Sequence, residues 1–231
     1  DGPRDYVGFL QNRLARIYPL HLVTFLAYLA IGVASWRGII TVENPAKYDP
    51  QAVLPNLLMT HAWNMTKDIT FNYPSWSISA EWAAYLVFPA VIWLARHGGP
   101  YALIAVSFSI VAVLETLRWQ GLMPDWTLVT SDGGAVRAMP SFVLGAAVFG
   151  LLERYRPSIK TFTLAYVLFV LVLAGILFRV DNRVAILLFA ATMAAAAAAE
   201  MNGARGIITS RFMVYMGDAS YAMYMLHPLI G

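Results

Sequence analysis

The sequence predicts an all-α protein: a polytopic transmembrane helical bundle with about seven spans in this chain, part of a larger bundle. Three observations predict it. Of 231 residues, 59% are hydrophobic and only 13% charged, against roughly a quarter charged in an ordinary soluble domain. The apolar residues fall into several blocks of about 17–20, the length of helix that crosses a hydrocarbon core of roughly 30 Å. The basic residues sit in short clusters beside those blocks, as they do in loops on the cytoplasmic side of a membrane.

The same features exclude other classes. A net charge of +3 and a pI of 9.2 do not indicate nucleic acid, because the positive residues flank apolar blocks instead of forming one basic surface. Without a single cysteine, disulfides, thiolate nucleophiles, Cys-ligated zinc and iron–sulfur clusters are removed together. The start, "DGPRDYVGFLQNRLARIYPL", carries basic residues and no small-residue cleavage site after an apolar core, so no cleavable signal peptide is expected. The missing initiator Met and an ending, "MYMLHPLIG", that stops inside an apolar run predict a single domain, 1–231, cut from a longer chain at both ends.

Taken in order, spans are expected at Ile17–Trp36, Ser77–Ala95, Tyr101–Trp119, Val136–Leu152, Thr161–Phe178, Val184–Ala199 and Phe212–Ile230. Between the first two, Pro45, Pro50 and Pro55 punctuate a polar connection. Within it, "QAVLPNLLMTHAW" is too short to span and reads as an interfacial or re-entrant segment. The run of alanines before Glu200 allows close helix packing.

Arg4, Arg13 and Arg16 precede the first span, Arg96 follows the second, Arg154, Arg156 and Lys160 follow the fourth, and Arg205 and Arg211 follow the sixth. These alternations place the dense basic clusters on one face, which should be cytoplasmic. The connection 37–76 then lies outside, where Trp36, Trp63, Trp76, Trp119 and Trp126 also gather as interfacial aromatics do.

Three stretches carry polar residues where an apolar span should not. In "FNYPSWSISAEWAAYLVFP", Glu81 lies within an apolar run, and an ionisable group in a span costs a few kcal/mol or more. Trp76, Ser77, Ser79, Glu81 and Tyr85 make a polar strip there, with Glu81 and Tyr85 four apart on one helix face and Ser75 or Ser77 placed to cap the helix. Such a strip suits a hydroxylated acceptor; hydration at the interface, or structural pairing with an arginine, is the alternative. In "QNRLARIYPLH", Arg13 and Arg16 are one turn apart at the cytoplasmic mouth of a span. They are placed to grip phosphates, or to act as ordinary positive-inside anchors, and His21 reads as a hydrogen-bonded packing residue. In "YMGDASYAMYMLHPL", Tyr221, Tyr224 and His227 follow at three-residue steps from Asp218, a stripe that lines a cavity or simply packs. The four histidines, His21, His61, His97 and His227, lack metal-ligand spacing, and no phosphate loop, GxSxG elbow or HExxH is present; no metal is expected.

In this order, "NRLARIYPLH", "SWSISAEWAAYLVFP" and "MGDASYAMYMLHPL" resemble the membrane-bound acyltransferase-3 family, which O-acylates polysaccharides, lipopolysaccharide and other envelope molecules. Arg13, Arg16, Ile17 and Pro19 match the family's first run. Trp76, Ser77, Ser79, Glu81, Tyr85 and Pro89 match its second, with Ile78 where leucine is usual. Ser220, Tyr221, Tyr224 and His227 match its third. The family's arginine and histidine pair, carried on a helix upstream of the first run, has no counterpart in this chain.

The resemblance implies an integral membrane O-acyltransferase. It would move an acyl group, commonly acetyl, from cytoplasmic acyl-CoA to a hydroxyl of an envelope carbohydrate or lipid-linked acceptor in a bacterial inner membrane. It implies catalytic roles for Glu81 and His227, acyl-CoA binding by Arg13 and Arg16, and acceptor binding by Trp76, Ser79, Tyr85, Tyr221 and Tyr224. Glu81 would line a cavity facing the outer side and the arginines would meet acyl-CoA on the opposite side. The expected partners are membrane lipids and the glycan or lipid-linked sugar, without nucleic acid. A multi-span transporter or flippase subunit, with Glu81, Asp218 and His227 on a proton or substrate path, and a catalytically dead scaffold are the competing readings.

Overall fold

The computed structural model describes the backbone of residues 3–230 and the side chains of 6–230. Seven α-helices follow one another, and no strand occurs among the described residues. They are α1 (Pro3–Trp36), α2 (Val53–Leu57), α3 (Ser75–Trp119), α4 (Gly134–Tyr155), α5 (Thr163–Leu177), α6 (Asn182–Met201) and α7 (Arg211–Ile230). Four of them, α1, α3, α4 and α6, are long and apolar enough to cross a membrane. The expectation of about seven spans is met only to that extent.

Each difference has a local cause. α3 is 45 residues long, about twice what a ~30 Å core needs, and takes in the second and third expected spans. It is broken at Gly99, where φ 68° and ψ −171° is a conformation open to glycine and closed to residues with a Cβ. α5 has 15 residues, ~22 Å at 1.5 Å per residue, which falls short of the core. α7 is helical over its whole expected length, but Arg211, Asp218 and its hydroxyl groups lower its apolarity. α1 begins fourteen residues before the expected first span. Arg13 and Arg16 therefore stand inside a continuous helix, about three turns or more from its described start.

The residues fall into two compact units. The first comprises Asp1–Pro89, Pro124–Ala138 and Ala219–Gly231; the second comprises Ala90–Met123 and Met139–Asp218. In the first, α1 and the opening of α3 run antiparallel, low numbers on one meeting high numbers on the other. The Tyr6 hydroxyl donates to the Leu86 carbonyl at 3.0 Å, the Phe9 and Phe88 rings stack at 4.9 Å, and Ile17 packs with Ile78, Met59 and Met225. Further along, Phe25, Tyr28, Tyr48 and Phe71 form a second apolar cluster that anchors the 37–74 connection. The "QAVLPNLLMTHAW" segment folds as the short α2 and an irregular wide turn, His61–Met65, as a non-spanning segment should.

In the second unit, Val91, Leu103, Val143 and Ala147 form the core, and Gly150 brings α4 against Pro100, where a Cβ would come within 3.3 Å. The Ser107 hydroxyl donates to the Pro140 carbonyl at 2.9 Å. Glu115 pairs with Arg118 at 3.2 Å and also with Arg183, which pairs in turn with Asp181 at 3.0 Å.

Candidate functional site

The first two polar stretches lie in the first unit up to Pro89, and so do Tyr221, Tyr224 and His227 of the third. Their meeting point is the α1–α3 pair. Glu81 and Tyr85 are one turn apart, and the Tyr85 hydroxyl donates a short hydrogen bond to Glu81 Oε1. From α1, the Arg13 guanidinium lies over the Tyr85 ring at 5.5 Å and over the Phe9 ring at 5.2 Å, while Phe9 meets Tyr85 edge-on at 5.8 Å. The arginine is thereby held by aromatic faces, which attract a cation electrostatically. Among the described residues neither Arg13 nor Arg16 makes an ion pair. Both still act electrostatically on Tyr85, and Glu81 acts on Tyr221. A carboxylate, two arginines and two tyrosines thus share one region. The separation of Glu81 from the arginines onto opposite sides of the membrane is not what the structure shows.

Glu81 is exposed and Tyr85 half-buried, so the carboxylate is open to a partner while its phenol is packed. Tyr221 turns inward and donates to the Ile17 carbonyl at 2.6 Å, tying α7 to α1 beside Arg13 and Arg16. Tyr224 and His227 are exposed. His227 Nδ1 lies 2.7 Å from the Tyr224 carbonyl. A carbonyl only accepts, so Nδ1 is the donor in this contact.

Ser79 is fully buried. Its hydroxyl donates to the Met59 carbonyl at 2.7 Å and accepts from the Ala62 amide at 3.0 Å, while the Trp63 indole donates to the Ser79 carbonyl at 2.9 Å. The expected acceptor-binding role gives way to that of a staple, since the hydroxyl is already spent on backbone. Capping also differs from expectation. Ser75 and Ser77 donate to the carbonyls of Asn72 and Pro74, fixing the approach to α3 instead of accepting from its first amides.

Two participants were not singled out from the sequence. Arg137, at the start of α4, places its guanidinium over the Trp76 ring at 5.0 Å and donates to the Val129 carbonyl at 3.1 Å. An arginine just inside a span next to a Gly-Gly turn was the available signal. His61, in the connection, is 3% exposed, and its pKa is pushed down to about 4 by burial first and by the nearby His21 second.

The connection also forms a polar pocket of about 460 Å³ lined by Asn44, Lys47, Lys67, Asp68, Ser131 and Asp132 among others. Lys47 is set over the Tyr28 ring at 4.6 Å, and burial lowers its pKa. Tyr28 in turn donates to the Pro228 carbonyl at 2.8 Å, joining this pocket to the end of α7.

Fold and site together define an integral membrane protein with an ionisable polar site set between its helices. The chain belongs to the acyltransferase-3 family, whose model, described as an acyltransferase domain, matches residues 1–231. It is 30% identical over 243 residues to acyltransferase MdmB of Streptomyces mycarofaciens, an alignment covering 96% of this chain and 61% of that protein. The chain thus spans less than two thirds of this curated relative. No solved structure matches it.

Proposed function

We propose that the protein carrying this chain is an integral membrane O-acyltransferase that moves an acyl group, acetyl in the simplest case, from acyl-CoA to a hydroxyl of an envelope carbohydrate or lipid-linked acceptor. The observation that carries this reading is the Arg13–Tyr85–Glu81 arrangement. An exposed carboxylate, oriented by a tyrosine and faced by a stacked arginine, suits a hydroxyl acceptor on one side and an anionic donor on the other. Family membership supports acyl transfer over transport.

In the transfer the acceptor oxygen forms the new ester bond to the acyl carbon, the carbon–sulfur bond of the thioester breaks, and the thiolate leaves with the acceptor's proton. Glu81 accepts a hydrogen bond from that hydroxyl and aligns it, with Tyr85 holding the carboxylate's other demand fixed. Arg13 and Arg16 bind donor phosphates, Arg13 in a preset position. His227, its Nδ1 engaged by the Tyr224 carbonyl, offers Nε2 to the reaction from the far end of α7. The mix of lysines, aspartates and hydroxyls around the 460 Å³ pocket suits a hydroxylated acceptor. The protein would sit in a bacterial inner membrane with the connection 37–76 outside.

The test is acyl-CoA-dependent labelling of envelope material by membranes holding the full-length protein, compared with membranes from a deletion strain. Labelled hydroxyl esters that vanish in the deletion strain are expected. Equal labelling in both would contradict the proposal.

A further inference from the structure

A second polar site lies in the first unit, outside the Glu81 region and unused by the transfer described above. His21 and His61 stack with ring centroids 5.9 Å apart and planes 7° from parallel, and Asn56 and Asn72 join them, all four almost wholly buried. A chain of hydrogen bonds links the group. His21 Nε2 lies 2.8 Å from the Asn56 carbonyl, which only accepts, so the His21 proton is on Nε2. The Ser75 hydroxyl spends its one proton on the Asn72 carbonyl at 2.7 Å. His61 Nε2, 3.1 Å from that hydroxyl, must therefore donate to it. The Asn56 amide nitrogen donates to the Ala52 carbonyl and to Thr70 Oγ1, and that of Asn72 donates to the Met225 carbonyl.

The remaining atoms are His21 Nδ1, His61 Nδ1, Asn56 Oδ1 and Asn72 Oδ1, and none has a hydrogen-bond partner among the described residues. The Pro55 carbonyl lies near the His61 ring and favours its protonated form, without reaching hydrogen-bond geometry at Nδ1. By the bonds just traced, all four are acceptors. Buried acceptors in native proteins are almost always matched by donors, and here the described residues supply none.

We propose that His21, Asn56, His61 and Asn72 form a binding site for O–H donors, occupied by water or by a hydroxyl of the acceptor. The ligand proposed is a neutral O–H donor, which matches unpartnered acceptors. The depressed His61 pKa agrees: at neutral pH the ring accepts a hydrogen bond without taking the proton. The water source stands independently of the function proposed above, whereas the acceptor source rests on it.

The test is nitrogen NMR on histidine-labelled full-length protein in lipid nanodiscs, with and without glycerol as a hydroxyl probe. Both rings should be neutral with the proton on Nε2. Transfer of magnetisation from water to both Nδ1 atoms without glycerol would identify resident water. No transfer, followed by an Nδ1 shift as glycerol is added, would identify a site for an external hydroxyl. Either outcome supports the site, and neither depends on acyl transfer. Protons found on Nδ1, or rings that respond neither to water nor to glycerol, would overturn it. Asn56→Leu, which removes one acceptor, should abolish or shift the His21 Nδ1 response; an unchanged response in folded protein would also overturn the proposal.

Discussion

At the scale of the residue, the account turns on how one side chain holds another. Arg13 is set by two aromatic faces, and those contacts depend on a flat guanidinium. Arg13→Lys should therefore keep the charge yet recover only part of donor binding, while Arg13→Ala should lose more. The measurement is the KM for acyl-CoA per unit of inserted protein; a lysine variant equal to the native protein would remove the stacking argument. Arg16, exposed and without a ring beneath it, should show a smaller difference between its lysine and native forms. His61 gives a pH prediction. Its folded pKa of about 4 lies below the unfolded value near 6.5, so its contribution to stability is complete above that value and is lost as pH falls from about 6.5 toward 4. Lowering the pH to about 5 should cost ~2 kcal/mol, read as a fall in Tm in nanodiscs, and His61→Gln should flatten that slope. Parallel curves for the two proteins would show that His61 is not the group responsible.

At the scale of the element, α3 enters the protein through a set of staples. Ser79 alone closes two backbone groups of the 59–62 turn, and Trp63 closes a third. Ser79→Ala should leave a buried carbonyl and a buried amide unmatched, at a cost of about 2–4 kcal/mol, whereas Ser77→Ala, which leaves the Pro74 carbonyl its bond from the residue 77 amide at a half-exposed position, should cost much less. Thermal unfolding of the two variants compares them directly, and equal losses would deny Ser79 its special place. The helices themselves were legible in the sequence, because apolar blocks and their Gly and Pro punctuation are local signals. So was the shared face of Glu81 and Tyr85, which follows from a spacing of four. The register between α1 and α3 was not legible. That Arg13 meets Tyr85 depends on an antiparallel pairing of residues 72 apart, and no local pattern encodes it. The start of α1 was also hidden, since Arg13 and Arg16 look like the end of an apolar block when the tertiary contacts that bury Tyr6 and Phe9 are unknown. His61 drew no role from the sequence for the same reason: only the fold of 53–74 buries it.

At the scale of the whole molecule, the basic clusters predict a sidedness with the 37–76 connection outside and the 154–160 turn in the cytoplasm. The absence of native cysteine makes this easy to test. With an impermeant thiol reagent on intact cells, Cys at Lys47 should react and Cys at Arg156 should be protected; the reverse pattern would invert the topology. Sidedness decides which face the Glu81 region and the 460 Å³ pocket open toward, and so where acceptor and donor can meet. The central claim is that Glu81 serves the transfer and not the fold. Its most direct test is acyl transfer to envelope acceptor per unit of inserted full-length protein, measured for Glu81→Gln beside Tyr85→Phe. Gln keeps the size of the side chain but not its charge or proton affinity. The account predicts loss of transfer at normal insertion for Glu81→Gln and a milder defect for Tyr85→Phe, and near-normal transfer by Glu81→Gln would contradict it.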